Sequence, residues 1–168
     1  MKRLTFVIGI ALTQIIGYGQ ELPKSNQKVL DFVEGHMFEK VGDGVCGTLV
    51  EKALRFVDKK YRKIHTGYGK RVELGDALPG DIIKFSGCVF EKTFSDGSIV
   101  MSKASSHVGI VYSVDSDTTI TIADQNNGGN GDGKKNRGDV AYEDSHVNTS
   151  EINLTTLKKG KILIYRPY

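Results

Sequence analysis

Tryptophan is absent from this sequence of 168 residues, which contains only two cysteines and three prolines. Two thiols form at most one disulfide, so a scaffold held together by several disulfides is excluded. Neither Cys-x-x-Cys nor His-x-x-x-His occurs, so the usual spacings of zinc ligands are missing. Repeats of fixed period are also absent, and the length and composition are those of one globular domain.

The net positive charge is small once the N-terminus is set aside. The formal net charge is +3, but Lys2 and Arg3 supply two of these charges, and residues 20–168 hold 21 basic and 20 acidic side chains. This balance lacks the electrostatic footprint of a surface that neutralises phosphates. We therefore expect no nucleic acid as a partner.

A run long enough to span a membrane is also missing. The uncharged stretch from Leu4 to Gly17 has 14 residues, whereas a spanning helix needs about 20. Together with the basic start and the small residues Gly17 and Gly19, it predicts a signal peptide over residues 1–19 that is cleaved before Gln20. We expect a secreted or periplasmic protein without stable membrane insertion, and a membrane anchor is the alternative.

The hydrophobic pattern changes from helical to β along the chain. Residues 20–41 are predicted as an N-terminal helical extension, with a helix over 25–40 that Ser25 caps, and residues 42–168 as the main domain. A second helix is predicted from Cys46 to Lys60, after the glycine-rich turn 41–45. Strands are predicted at 81–86, 89–94, 98–102, 107–114, 118–126 and 161–166, and the polar segment 127–139 is predicted as a long loop. The expected fold class is α+β, with N-terminal helices packed on an antiparallel β-sheet.

Cys46 is the candidate nucleophile because it opens the second helix. An unperturbed thiol is only about 3% thiolate at pH 7, and lowering its pKa by two units requires about 2.7 kcal/mol. A helix N-terminus supplies only about 0.3 to 2 kcal/mol, so a partner is required. Cys88, which lies beside Gly87 at the mouth of a predicted hairpin, is either a disulfide partner or an uninvolved thiol.

His107 is the candidate base among four histidines. It is the one that begins a strongly apolar strand, Ser-Ser-His-Val-Gly-Ile-Val-Tyr, in which Gly109 leaves room for another element to approach closely. His36 and His65 fall in the helix and loop predictions, and His146 falls in the C-terminal segment. Solvated or structural roles are expected for these three.

A histidine used as a base needs a third group that holds its tautomer. The strand after His107 ends Asp124-Gln-Asn126, and alternation with period two places Asp124 and Asn126 on one face. Either residue could orient His107. The alternative is that this polar stretch only terminates a strand.

These features together resemble the CHAP amidases and their NlpC/P60 relatives. The resemblance covers about residues 42–168 and rests on GDGVCGTLVEKAL, LPGDIIKF, SSHVGIVYSVDSDTTITIADQNNGG and KILIYRPY. It implies a papain-like fold and hydrolysis of peptidoglycan, or of its stem peptides, through a thioester, without a cofactor. The family's Glu and Asn fall on Asp124 and Asn126, and Asp124 departs from the usual Glu by about one methylene.

Three other interpretations stay open at this point. A metal site is disfavoured by the spacing of the two thiols, and the run 124–139 could bind calcium but matches no EF-hand pattern. A secreted binding module could keep the fold without activity. A cysteine amidase could also act on an amide outside the cell wall.

Overall fold

In the computed structural model the described residues are 21–62, 68–125 and 145–168. Two helices, α1 (Lys24–Glu34) and α2 (Cys46–Val57), precede six strands. The strands are β1 (Lys70–Val72), β2 (Ile82–Thr93), β3 (Ile99–Ser116), β4 (Thr119–Asp124), β5 (Asn148–Asn153) and β6 (Leu157–Arg166), with short 3-10 turns at Leu74–Asp76 and Leu154–Thr156. They form one sheet in the order β1-β6-β2-β3-β4-β5, in which every neighbouring pair is antiparallel. The α+β class predicted from the sequence is correct.

The sheet carries a hydrophobic core on each face because its strands are apolar on alternate residues. The helix-side core joins both helices to the sheet and includes Val29, Val33, Leu49, Ile82, Val108, Ile110 and Ala123. The opposite core consists of residues from the strands and the turns between them, among them Ile83, Phe85, Cys88, Val111, Ile120, Ile122 and Ile164. Helix α1, from the predicted extension, therefore shares the core of α2.

The strand boundaries differ from the prediction in several respects, and one of them is that β6 begins at Leu157 instead of residue 161. The strands predicted at 81–86 and 89–94 are one strand, β2, and those predicted at 98–102 and 107–114 are one strand, β3. The prediction placed strand breaks at Gly87 and at the polar run 102–106, but the pairing of β2 with β3 keeps the same register on both sides of each. Strands β1 and β5 were not predicted, because Lys70–Val72 and Asn148–Asn153 have no alternating apolar pattern.

The first helix also ends earlier than predicted. It stops at Glu34 instead of residue 40, and Phe38 has a φ of 64°. The Phe38 N–H donates to Val147 O and the Val147 N–H donates to Glu39 O, both at 2.9 Å, so this segment pairs with another part of the chain. The predicted Ser25 cap is wrong, since Pro23 is the N-cap residue and the Ser25 hydroxyl donates to Pro167 O at 3.1 Å.

Two predicted features lie outside the described residues, namely the signal peptide over 1–19 and the loop over 127–139. No helix within the described ranges is long and apolar enough to cross a membrane.

A buried carboxylate joins the two ends of the domain. Asp81 is fully buried and accepts hydrogen bonds from Arg166 Nε at 3.1 Å, Arg166 Nη2 at 2.9 Å and Asn26 Nδ2 at 2.7 Å. The Leu78 N–H donates to the same carboxylate at 2.9 Å. Helix α1, the turn before β2 and the end of β6 are thus connected through one side chain.

Asp81→Ala is expected to destabilise the fold by about 1–3 kcal/mol, because it leaves the buried Asn26 amide and the half-buried Arg166 guanidinium without their carboxylate partner. Urea denaturation would measure the loss. Glu51→Ala is the matched control, since it removes an exposed pair with Arg55 at 2.7 Å and should cost less than about 1 kcal/mol. Equal losses in the two variants would contradict a structural role for Asp81.

Candidate active site

The predicted nucleophile lies at the first position of α2. The preceding loop, Val41 to Val45, includes Gly42 and Gly44 at φ values of 65° and 81°, a conformation that glycine adopts without strain. Val45 is the N-cap residue and gives no side-chain cap. The first N–H groups of a helix have no intrahelical acceptor, and the backbone N–H groups of Gly47 and Val108 lower the pKa of the Cys46 thiol. The sulfur therefore sits where a negative charge is stabilised.

His107 lies between the thiol and a buried carboxylate. Its Nε2 is 2.7 Å from Asp124 Oδ2, and the two side chains are 14% and 2% exposed. The ring also stacks on Phe85, with centroids 6.1 Å apart. Because Nε2 is engaged by Asp124, Nδ1 is the ring nitrogen that remains for the hydrogen bond with Cys46. The order of groups is thiol, imidazole, carboxylate.

The electrostatics of the three groups reinforce one another. Burial raises the pKa of the Cys46 thiol, but the hydrogen bond and the charge of His107 outweigh burial, and the net effect lowers the pKa. Burial likewise lowers the pKa of His107, but hydrogen bonds to Asp124 and Cys46, together with their charges, raise it to about 9. Both shifts favour a thiolate–imidazolium pair at neutral pH.

Gly109 permits the close approach of His107 and Asp124. A Cβ at position 109 would lie 3.1 Å from Ala123 O and 3.3 Å from Asp124 Cβ. The prediction that this glycine leaves room for another element is confirmed, and the element is β4. The prediction that His107 begins a strand is wrong, because His107 lies in the middle of β3.

Gln125 is a buried polar residue that the sequence analysis did not single out. It is 1% exposed, its Nε2 donates to Val41 O and Val45 O at 2.9 Å each, and its Oε1 accepts from the Val41 N–H at 3.2 Å. It therefore fixes both ends of the loop that leads into Cys46. Gln125 directly follows Asp124, the last residue of β4, so Asp124 holds His107 while Gln125 holds the nucleophile's loop.

Gln125→Ala is expected to lower the free energy of unfolding by about 2 kcal/mol or more, since it leaves buried backbone groups of Val41 and Val45 unpaired. It should also slow alkylation of Cys46 by iodoacetamide at neutral pH. Gln27→Ala is the control, because that amide makes an exposed bond to Asp31 at 2.9 Å worth about 0.2–0.5 kcal/mol. A variant of Gln125 with unchanged stability and thiol reactivity would contradict the assignment.

The structure brings together three of the four predicted site residues, Cys46, His107 and Asp124. Asn126 lies outside the described residues, so its role stays a prediction. Both cysteines are free thiols, and Cys88 is 1% exposed with its sulfur 3.2 Å from Lys161 O. His36 is engaged with Phe32, through Nδ1 at 2.7 Å from the carbonyl oxygen, and His65 lies outside the described residues. Among the residues that the structure describes, no group of three or more His, Cys, Asp and Glu side chains is placed to hold a metal ion.

A cavity lies away from these three residues. It has a volume of about 480 Å³ and is lined by the far halves of β2 and β3 and by β5, including Phe90, Val100 and Ile152. It contains no nucleophile paired with a base. We therefore assign the candidate active site by the chemistry of Cys46, His107 and Asp124 and not by cavity size.

Comparison with known proteins gives one family. The sequence model of the AIM3/BBC1 cysteine proteinase-fold domain matches residues 23–168, which is most of the chain and includes α1. No curated protein and no solved structure gives a significant match. The match supports a papain-like fold and does not single out the CHAP or NlpC/P60 families.

Proposed function

Because this chain belongs to the AIM3/BBC1 cysteine proteinase-fold domain family, we propose that it is a cysteine hydrolase that cleaves amide bonds through a thioester. The observation that carries the proposal is the alignment of Cys46 at a helix N-terminus with His107, whose Nε2 lies 2.7 Å from Asp124. A fold match alone carries no chemistry. The nucleophile, base and orienting carboxylate occur here in the order that acyl transfer requires.

The reaction begins with attack of the Cys46 thiolate on the carbonyl carbon, which forms a C–S bond and a tetrahedral oxyanion. N–H groups at the start of α2 are placed to stabilise that negative charge. The His107 imidazolium then gives its proton to the leaving nitrogen as the C–N bond breaks. Water, deprotonated by the neutral imidazole, hydrolyses the thioester and regenerates the thiolate and the imidazolium.

Peptidoglycan and its stem peptides are the proposed substrates. The support is the resemblance of the Cys46, His107 and Asp124 segments to wall hydrolases, together with the signal-peptide pattern before Gln20. Amide bonds outside the wall are the second substrate class that the same chemistry accepts.

Digestion of purified peptidoglycan, with mass spectrometry of the released fragments, tests the proposal. We expect new amines and carboxylates at one type of amide bond, and none with Cys46→Ala. Two results together would instead indicate a binding module. The folded wild-type protein would release nothing from peptidoglycan or from peptide libraries, and iodoacetamide would modify Cys46 no faster than an unstructured thiol.

Export is the second part of the proposal. The N-terminus of the protein recovered outside the cytoplasm is expected at Gln20 or within about two residues of it, because the small residues Gly17 and Gly19 suit a signal peptidase. Intact-mass measurement checks this position. Recovery of the exported protein with Met1 still attached would contradict it.

A further inference from the structure

Lys84 lies on the face of the sheet that the helices partly cover. Its cross-strand partners are Val108 on β3 and Leu163 on β6, and both contact the helix-side core. Cross-strand partners share one face of a sheet. Two residues further along β2, Ser86 has Lys161 as its partner, so Lys161 lies on that face too.

The same face continues past an irregularity in β2. The β2–β6 register shifts between Ser86 and Val89, where Gly87 has a φ of 61°. Cys88 and Phe90 contact the opposite core, so Val89 between them points to the helix side. Val89 is paired with Lys103 on one side and with Lys159 on the other.

These pairings define a lysine platform made of Lys84, Lys103, Lys159 and Lys161. Its last three members are exposed, and Lys84 is half-buried. Neighbouring strands are about 4.8 Å apart, so the backbones of Lys103 and Lys159, on the two sides of β2, are about 10 Å apart. This separation is close to one Debye length, about 8 Å at physiological ionic strength, so the fields of these charges overlap. Glu91 also reaches this face, and its carboxylate lies 3.8 Å from Lys158 Nζ.

The platform begins next to the nucleophile. Val108, the strand partner of Lys84, packs in the same helix-side core as Cys46, and its backbone N–H is one of the groups that lower the pKa of the Cys46 thiol. The helix-side core reaches Val108 on β3. Beyond it, on the part of the face that extends away from the helices, Lys103, Lys159 and Lys161 are exposed. A substrate whose amide reaches Cys46 can therefore place neighbouring groups on the lysines.

We propose that the lysine platform binds the free carboxylates of the substrate and selects acidic peptides, namely stem peptides of peptidoglycan. This inference rests on the proposed hydrolase. Within ranges 21–62, 68–125 and 145–168, four positive charges on this face are opposed by the carboxylate of Glu91, which is itself close to Lys158, and such a surface is complementary to a ligand with several carboxylates.

The test uses muropeptides released from purified peptidoglycan by a muramidase, and the same muropeptides after amidation of their carboxylates. With wild-type protein, amidation is expected to raise KM about tenfold with kcat changed less than twofold. The triple variant K103Q/K159Q/K161Q should show the same rise in KM with unmodified muropeptides and should no longer distinguish the two preparations. Raising NaCl from about 50 to 500 mM should weaken wild-type binding and leave the variant unaffected.

Lys59→Gln is the matched control, since it removes an exposed lysine two residues past the end of α2 at Val57, and that helix end lies about 16 Å from Cys46. Equal KM values for free and amidated muropeptides would overturn the lysine platform while leaving the hydrolase intact. Binding of muropeptides to Cys46→Ala separates the two proposals. If muropeptides bind in a lysine-dependent way but the wild type does not turn them over, the lysine platform stands and the proposed reaction is wrong. If muropeptides do not bind in this way, the lysine platform is wrong.

Discussion

Cys46→Ala and His107→Ala are each expected to lower amide hydrolysis by about 10⁴-fold or more in a protein that remains folded, because nucleophile and base act as one unit. The alanine at position 46 removes the atom that forms the thioester. The alanine at position 107 removes both the partner that lowers the thiol pKa and the proton donor for the leaving amine. Initial rates on muropeptides or on the best peptide substrate would measure the loss.

Cys88→Ser is the control that separates the two thiols. Cys88 is buried among strands, with its sulfur 3.2 Å from Lys161 O, so serine at this position should cost some stability and leave most of the activity. The assignment of the nucleophile fails if Cys88→Ser is inactive while folded and Cys46→Ala is active. A Cys46–Cys88 disulfide in the active protein would be equally damaging.

The helix that presents the nucleophile was predictable to within three residues because its signal is local. Leu49, Val50, Ala53 and Leu54 recur at helical spacing and are all buried, and the glycines before Cys46 mark the turn. The hairpin between β2 and β3 was equally visible from Ser95-Asp-Gly97. Patterns of this kind depend on neighbouring residues, which a sequence displays directly.

What the sequence could not show depends on contacts between distant residues. Gln125 reaches Val41, 84 positions away, and a glutamine between two site candidates looks like part of a turn. Asp81 and Arg166 are 85 positions apart, and the platform lysines come from three strands. Strand β5 was missed for a similar reason, since Asn-Thr-Ser-Glu-Ile-Asn has little β character until β4 pairs with it.

The pairing of His107 with Asp124 was predicted only in part. Alternation placed Asp124 and Asn126 on one face without deciding between them. The structure puts the Asp124 carboxylate 2.7 Å from Nε2, so the shorter side chain reaches the ring. Gly109 leaves space for the Asp124 Cβ, which lies 3.3 Å from the position that a Cβ of residue 109 would take.

Asp124→Asn is therefore expected to reduce turnover by at least about tenfold, with geometry largely preserved. The amide oxygen can still accept a hydrogen bond from Nε2–H, but the amide carries no charge, so the substitution removes the carboxylate charge that helps to raise the pKa of His107 to about 9. That pKa should fall. With less imidazolium beside it, the Cys46 thiol should lose part of its own pKa depression, and less thiolate should be present at neutral pH.

The pH dependence of kcat/KM shows the direction in which Asp124→Asn shifts the pKa values of Cys46 and His107. In the wild type, kcat/KM should rise as the Cys46 thiol ionises, below the ordinary pKa of a thiol, and fall near pH 9 as the imidazolium is lost. In Asp124→Asn the alkaline limb should move to lower pH and the acidic limb to higher pH, which narrows the bell from both sides. Asn126→Ala should lower the rate less and move neither limb. If steady-state rates over pH 5 to 9 show equal or reversed losses in the two variants, Asp124 is not the group that sustains the imidazolium, and Asn126 becomes the residue that orients His107.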